Sequence, residues 1–210
     1  MAAAATGWRE RVEFERRLVH AAGTLYPVPY LLGWLSWTQT TLLLVLSVAT
    51  AAALEFLRLV IGLDHAVYRA LIREYEADAI AGYAVYQVGM AGAAAIALTS
   101  VASPTLAVPA MWMLSLGDPV SGALGTNGPR EPKRPLVWAV MFGVCVAIAL
   151  PFVVPVFGPP GGAAVAIGGA VTATVADGLP PVVRGTTIDD NLTIPIGALT
   201  SMAVVAAVIG

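Results

Sequence analysis

The sequence predicts an all-α integral membrane protein, a bundle of about seven transmembrane helices with a cytoplasmic N-terminus and an outside C-terminus. Three observations carry that expectation. Of 210 residues, 58% are hydrophobic and only 11% charged, with a mean hydropathy of +0.81, whereas soluble domains carry about 25% charged residues. The apolar sequence falls into stretches close to the ~20 residues that cross a bilayer, separated by helix breakers. Finally, all 24 charged residues fall at one face of the membrane when seven spans are drawn.

The chain reads as a single domain, 1–210, opened by a short amphipathic cytoplasmic segment, 1–17. That segment, with the polar run Trp8 to Arg17, lacks the short apolar core and adjoining small-residue cleavage site of a signal peptide, so the spans themselves should direct insertion. The expected spans are 19–36, 40–60, 79–98, 104–122, 135–157, 161–178 and 192–209. Thr38-Gln39-Thr40 parts the first two, Ser103-Pro104 the third and fourth, and Gly158-Pro159-Pro160-Gly161-Gly162 the fifth and sixth. Gly- and Ala-rich stretches such as Ala81–Ala97 and Gly161–Ala173 predict close helix packing. The lone Cys145, inside an apolar run, reads as a small buried hydrophobe. Lys and Arg gather on cytoplasmic loops, so the charged face should be cytoplasmic and the protein a multi-pass component of the cell membrane. A net charge of −2 offers no basic field for nucleic acid. A bundle of this kind is compatible with an oligomer.

The charged residues do more than flank the spans. Glu55 and Arg58 interrupt the run Leu42 to Ile61, Asp118 interrupts Met111 to Leu124, and Asp177 follows Ala163 to Ala176. An ionisable group in membrane sequence costs about 3 kcal/mol or more, so function is its default explanation. The plain alternative for Glu55 and Arg58 is an i,i+3 ion pair ordering a helix end; for Asp118 and Asp177 it is an interfacial carboxylate. In Gly117-Asp118-Pro119-Val120-Ser121-Gly122-Ala123-Leu124-Gly125, glycines would let a phosphate approach the backbone and the acid could hold Mg²⁺. Arg130, Lys133 and Arg134 follow as phosphate-binding cations. Before the last span, Asp189, Asp190 and Asn191 place two adjacent acids and an amide together. A bound cation would relieve their repulsion; alternatively the group caps the last helix. On a helix, Arg16 shares a face with His20, and Arg17 lies three residues from it, a cluster suited to clamping phosphate. The alternative for His20 is a structural role.

Taken together these segments resemble the polyprenol kinase family, which includes dolichol kinase, phytol kinase and the CTP-dependent diacylglycerol kinase of yeast type. The matching elements are Arg16-Arg17 with His20 and Gly23, Glu55 with Arg58, Arg73 with Glu76, Gly117-Asp118 with Ser121 and Gly125, and Asp189-Asp190-Asn191 with Pro195. Ser121 stands where the family usually has Ala, and Asp177 where Glu is common. Lys133 is followed by Arg134-Pro135-Leu136-Val137 rather than the family's Glu-Gly continuation.

The resemblance implies transfer of the γ-phosphoryl group of CTP to a long-chain isoprenoid or other lipid alcohol at the cytoplasmic face, with Mg²⁺ as cofactor. It implies Asp118, Asp189 and Asp190 as metal ligands, and Arg16, Arg17, Arg73 and Lys133 as partners of the phosphates. Gly117, Ser121, Gly122, Gly125 and Asn191 complete the nucleotide contacts, with Glu55, Arg58 and Glu76 as further candidates. Asp177 or His20 would accept the hydroxyl proton. A cytidylyltransferase acting on a lipid phosphate is the nearest rival, but its Lys-Asp, His-Gly-Gly and Asp-Arg-x-Asp elements are absent. A transporter would place ionisable groups near the bilayer midplane with access from both sides, and a membrane scaffold would need none of these acids.

Overall fold

A computed structural model describes residues 16–72, 76–124, 132–179, 182–183 and 186–210. The chain opens with helix α1 (16–22), a 3₁₀ turn at Gly23–Leu25 and a one-turn helix α2 (Val28–Leu31). Helices α3 (Trp37–Leu59), α4 (Ala66–Leu71), α5 (Gly82–Ile96) and α6 (Pro104–Trp112) follow. A π-turn at Met113–Gly117 joins α6 to α7 (Asp118–Leu124), and the fold ends with α8 (Pro135–Gly178) and α9 (Asp190–Ile209). Between the last two, β1 (Val182–Val183) and β2 (Thr186–Thr187) pair antiparallel, with Val182 opposite Thr187.

Among the described residues three helices, α3, α8 and α9, are long and apolar enough to cross a membrane. The expectation of seven full-length spanning helices is corrected, for local reasons. The stretch 19–36 breaks where Pro27 and Pro29 interrupt the helix and Gly33 takes φ 71°. The stretch 79–98 yields the 15-residue α5, about 22 Å of helix against ~30 Å of hydrocarbon. The stretch 104–122 is interrupted by the π-turn. The stretches 135–157 and 161–178, by contrast, form the two arms of α8, which turns back at the expected breaker, Gly158, with φ 71° and Pro159 and Pro160 after it. Two close approaches establish the hairpin. A Cβ on Gly162 would lie 2.6 Å from the Val154 backbone, and one on Gly178 would enter the Trp138 indole.

Sequence chemistry explains the other boundaries. Ser36 and Gln39 form a reciprocal capping box at the start of α3, with the Ser36 N–H donating to Gln39 Oε1 (2.8 Å) and the Gln39 N–H donating to Ser36 Oγ (3.3 Å). The buried positions of α3, Trp37, Thr41, Leu44, Ala51 and Glu55, recur at helical spacing and face α5. The opposite face of α3 presents Leu42 and Leu46, 61% and 62% exposed, and α9 likewise presents Val204 and Val208. Exposed large aliphatics on both helices suit a lipid surface, since a soluble protein rarely shows wide apolar patches.

α5 lies between α3 and α9, and its small residues let both approach. It runs antiparallel to α3: the Trp37 indole N–H donates to the Ala94 carbonyl (3.0 Å) at one end, and the Ala81 N–H donates to Glu55 Oε2 (2.9 Å) at the other. α8 makes the most extensive interface, with α9. Its second arm runs antiparallel to α9, with Gly161 against Ile209 at one end and Thr172 against Gly197 nearer the other. The core is filled by Leu44, Met90, Met111, Met141, Val165, Leu199 and Met202, and Cys145 is buried among them as expected. This topology puts the end of α3, the starts of α5 and α9, all of α7 and the outer end of the α8 hairpin at one end of the bundle. Among the described residues, the other end, around Gly158, Gly33 and 97–103, carries no charged side chain.

Because a Cβ on Gly89 would collide with the Asn191 carbonyl, Gly89→Ala should lower stability by about 1–3 kcal/mol. Gly143, whose Cβ would meet nothing within 4 Å, should tolerate Ala or gain up to about 1 kcal/mol from helix propensity. Thermal unfolding of the detergent-solubilised protein measures both.

Candidate functional site

Five segments deliver polar side chains to the charged end. The π-turn is the device on α6–α7: its wider backbone turn re-aims the chain just before Asp118 opens α7. Gly117 allows this by packing against α8, since a Cβ there would lie 3.0 Å from Met141 Sδ and 3.3 Å from Cys145 Sγ. The missing side chain of Gly117 therefore serves helix packing. Asp177 closes the second arm of α8, and Asp190 is the first residue of α9.

These elements bring one carboxylate oxygen each of Asp118, Asp177 and Asp190 within 4.8 Å of one another. Asp177 is the most buried and the most engaged. Lys133 Nζ donates to its Oδ1 (2.5 Å) and Ser121 Oγ to its Oδ2 (2.6 Å), while Lys133 also donates to Ser121 Oγ (2.9 Å). The Lys133 backbone N–H reaches the Gly178 carbonyl (3.4 Å), latching the segment to the end of α8. On the other side, His20 Nε2 lies 3.6 Å from Asp118 Oδ2. The His20 ring packs edge-on to Tyr86 at 4.4 Å, and Tyr86 OH donates to the His20 carbonyl (3.1 Å). Arg17 Nη2 donates to the Gly122 carbonyl (2.9 Å), tying α1 to α7.

The sequence-derived residues thus divide. Asp118, Asp177, Asp190, Ser121, Lys133 and His20 form one connected group. Asp189 stands beside it as a helix cap: its Oδ1 accepts from the Asn191 N–H (2.9 Å), the arrangement weighed as the alternative for this segment. Glu55 and Arg58 make the i,i+3 pair, through Nε to Oε1 (3.0 Å) and Nη2 to Oε2 (2.7 Å). Arg58 also donates to the carbonyls of Glu76, Ala77 and Ala79, and Tyr83 OH to Glu55 Oε1. That brace clamps the linker 76–81 onto the end of α3. Arg73 and Gly125 lie outside the described residues.

A cavity of about 240 Å³ opens beside the acidic group. Arg16, His20, Glu76 and Asn191 line it, so four candidates from the sequence meet there. Tyr26, Tyr83, Tyr86 and Gln87 line it too and were missed by sequence reasoning. Their signal was present: Tyr83, Tyr86 and Gln87 recur at helical spacing in an otherwise small-residue helix.

Three oxygen donors at these separations suit a hard divalent cation. Octahedral Mg²⁺ holds its ligands at about 2.0–2.1 Å, which puts opposite oxygens about 4.2 Å apart, so small side-chain rotations would close the set. Among the described residues Lys133 and His20 lie against these acids, and the Arg16 charge also acts on Asp118. No protein-family profile, characterised protein or solved structure matches this chain.

Removing one acid should therefore relieve repulsion. In metal-free buffer Asp190→Asn should unfold a few degrees above wild type. Mg²⁺ should stabilise wild type and leave the variant unmoved. Equal Mg²⁺ shifts in the two proteins would exclude a cation between these acids.

Proposed function

We propose that this protein is a Mg²⁺-dependent, CTP-using lipid alcohol kinase, transferring the γ-phosphoryl group to the hydroxyl of an isoprenoid-type alcohol at the cytoplasmic face of the membrane. One observation carries the reading: Asp118, Asp177 and Asp190 converge within 4.8 Å at the charged end of an apolar bundle. Two carboxylates and a triphosphate are the usual surroundings of Mg²⁺, and the choice of CTP rests on the family resemblance. The lipid-like exposure of α3 and α9 supports a membrane-embedded bundle; placing its charged end at the cytoplasmic face rests on the one-sided distribution of Lys and Arg in the sequence.

Phosphoryl transfer depends on position and charge more than on covalent chemistry. Mg²⁺, held by Asp118 and Asp190, would neutralise phosphate charge. Asp177, with Lys133 and Ser121 on its two oxygens, holds Lys133 at the site where phosphates arrive. That engagement favours His20 over Asp177 as the group that takes the hydroxyl proton. The lipid oxygen bonds to the γ-phosphorus, the bond to the β-phosphate oxygen breaks, CDP leaves, and the proton passes to His20.

Purified protein should convert a prenol to its monophosphate with CTP, releasing CDP. Asp118→Asn or Asp190→Asn should lower kcat by about 10²–10³-fold, and His20→Gln by about 10²-fold. Product mass together with nucleotide analysis decides the matter. Pyrophosphate release would mark a nucleotidyl transferase instead, and wild-type rates in both Asp variants would remove the acids from the reaction.

A further inference from the structure

We infer that Tyr86 is a positioning residue for His20, holding that imidazole against Asp118 through a clamp on the backbone of α1. This rests on the kinase reading, in which His20 takes the hydroxyl proton, and adds to it the group that sets where His20 stands. The starting point is the shortness of α1. Residues 16–22 make about two turns, and an isolated helix below about 12–15 residues is marginal in water. Its outward side chains add little packing, since Leu18 and Val19 are 61% and 53% exposed. The position of α1 is therefore set by what it touches on α5, α6 and α7.

Hydrogen bonds tether the segment on either side of His20. Before it, Arg17 Nη2 donates to the Gly122 carbonyl (2.9 Å). Past it, the Trp112 indole N–H donates to the Thr24 carbonyl (3.0 Å), and Thr24 Oγ1 lies 2.6 Å from the Ala21 carbonyl and 3.1 Å from Ser115 Oγ. At His20 itself the contact is Tyr86. A helix leaves its last four carbonyls to outside donors. The His20 carbonyl is one of these, and Tyr86 OH donates to it at 3.1 Å. The Tyr86 ring also meets the imidazole edge-on, with centroids 4.4 Å apart. One side chain thus holds His20 twice, by its backbone and by its ring. Gly23 makes this possible, because a Cβ there would run into the Tyr86 hydroxyl.

The same hydroxyl reaches the other half of the site. Tyr86 OH bonds the Ser115 side chain, which is fully buried in the π-turn that leads directly into Asp118. Tyr86 therefore joins the segment carrying His20 to the segment aiming Asp118, and His20 Nε2 stands 3.6 Å from Asp118 Oδ2. Without the hydroxyl, α1 keeps its tethers at Arg17 and Thr24, but the stretch between them is released to shift. A displacement of about 1 Å in a reacting group costs up to about 10²-fold in rate.

The test uses the full protein in lipid nanodiscs, with CTP and farnesol as substrates. Tyr86→Phe keeps the ring and removes the hydroxyl, and Tyr86→Leu removes both. Tyr86→Phe should lower kcat about tenfold and Tyr86→Leu further, with the KM for CTP unchanged. In a His20→Gln background Tyr86→Phe should cost nothing more, because it acts through a group already gone. Diethyl pyrocarbonate labelling, read by mass spectrometry, reports on His20 without turnover. His20, 8% exposed, should react several-fold faster in Tyr86→Phe, while the exposed His65 keeps its rate as the internal reference. Equal falls in kcat with and without His20, or an unchanged kcat, would overturn the assignment and leave the kinase reading standing. A raised farnesol KM at wild-type kcat would overturn it too, by making Tyr86 a substrate contact. In a protein that phosphorylates nothing, faster His20 labelling in Tyr86→Phe would uphold the clamp and sink the kinase reading, and unchanged labelling would sink both.

Discussion

Three carboxylates within 4.8 Å of one another, at the end of a bundle whose interior is apolar, set the terms for the rest of the structure. At an effective dielectric near 20, each pair of like charges at that distance repels by about 3–4 kcal/mol. The fold counters this with Lys133, locked between Asp177 and Ser121, and with His20 beside Asp118. Those two groups come from opposite sides, one from the strand of chain entering α8 and the other from α1. The site is therefore closed only when the α8 hairpin, α7, α9 and α1 are all in place.

The apolar part of the molecule is arranged to deliver that end. Gly89 admits the Asn191 backbone, Gly117 admits the sulfurs of Met141 and Cys145, and Gly178 admits the Trp138 indole. Each contact sits within a few residues of an acid or of its partner. Small residues thus fix the relative heights of α5, α7, α8 and α9, and through them the carboxylate positions. The Glu55–Arg58 brace does the same for the linker that leads into α5. Its charges are engaged with each other and with the linker backbone, which fixes where the linker leaves α3.

Much of this was legible in the sequence. The apolar composition, the breakers and the one-sided charges marked a membrane bundle with a single polar end; Asp118 and Asp177 were conspicuous as acids in apolar sequence, and Asp190 as one of two adjacent acids before the last span. Helix lengths were less legible, because hydropathy does not register the π-turn, the short α5 or the prolines that break 19–36 into pieces. Which acids converge was also hidden. Adjacent Asp189 and Asp190 look alike in sequence, but the first caps α9 while the second, one residue into the helix, turns toward Asp118 and Asp177. Tyr83, Tyr86 and Gln87, in the small-residue helix α5, and Tyr26, after the 3₁₀ turn, escaped notice because neutral polar residues carry no charge anomaly.

The most direct test of the central claim is structural: the protein with Mn²⁺ and a non-hydrolysable CTP analogue, with the metal located by its anomalous scattering. The account predicts a peak in coordination range of Asp118 and Asp190, with the triphosphate reaching toward Lys133. Nucleotide and metal bound elsewhere, with these three carboxylates still facing one another, would contradict it.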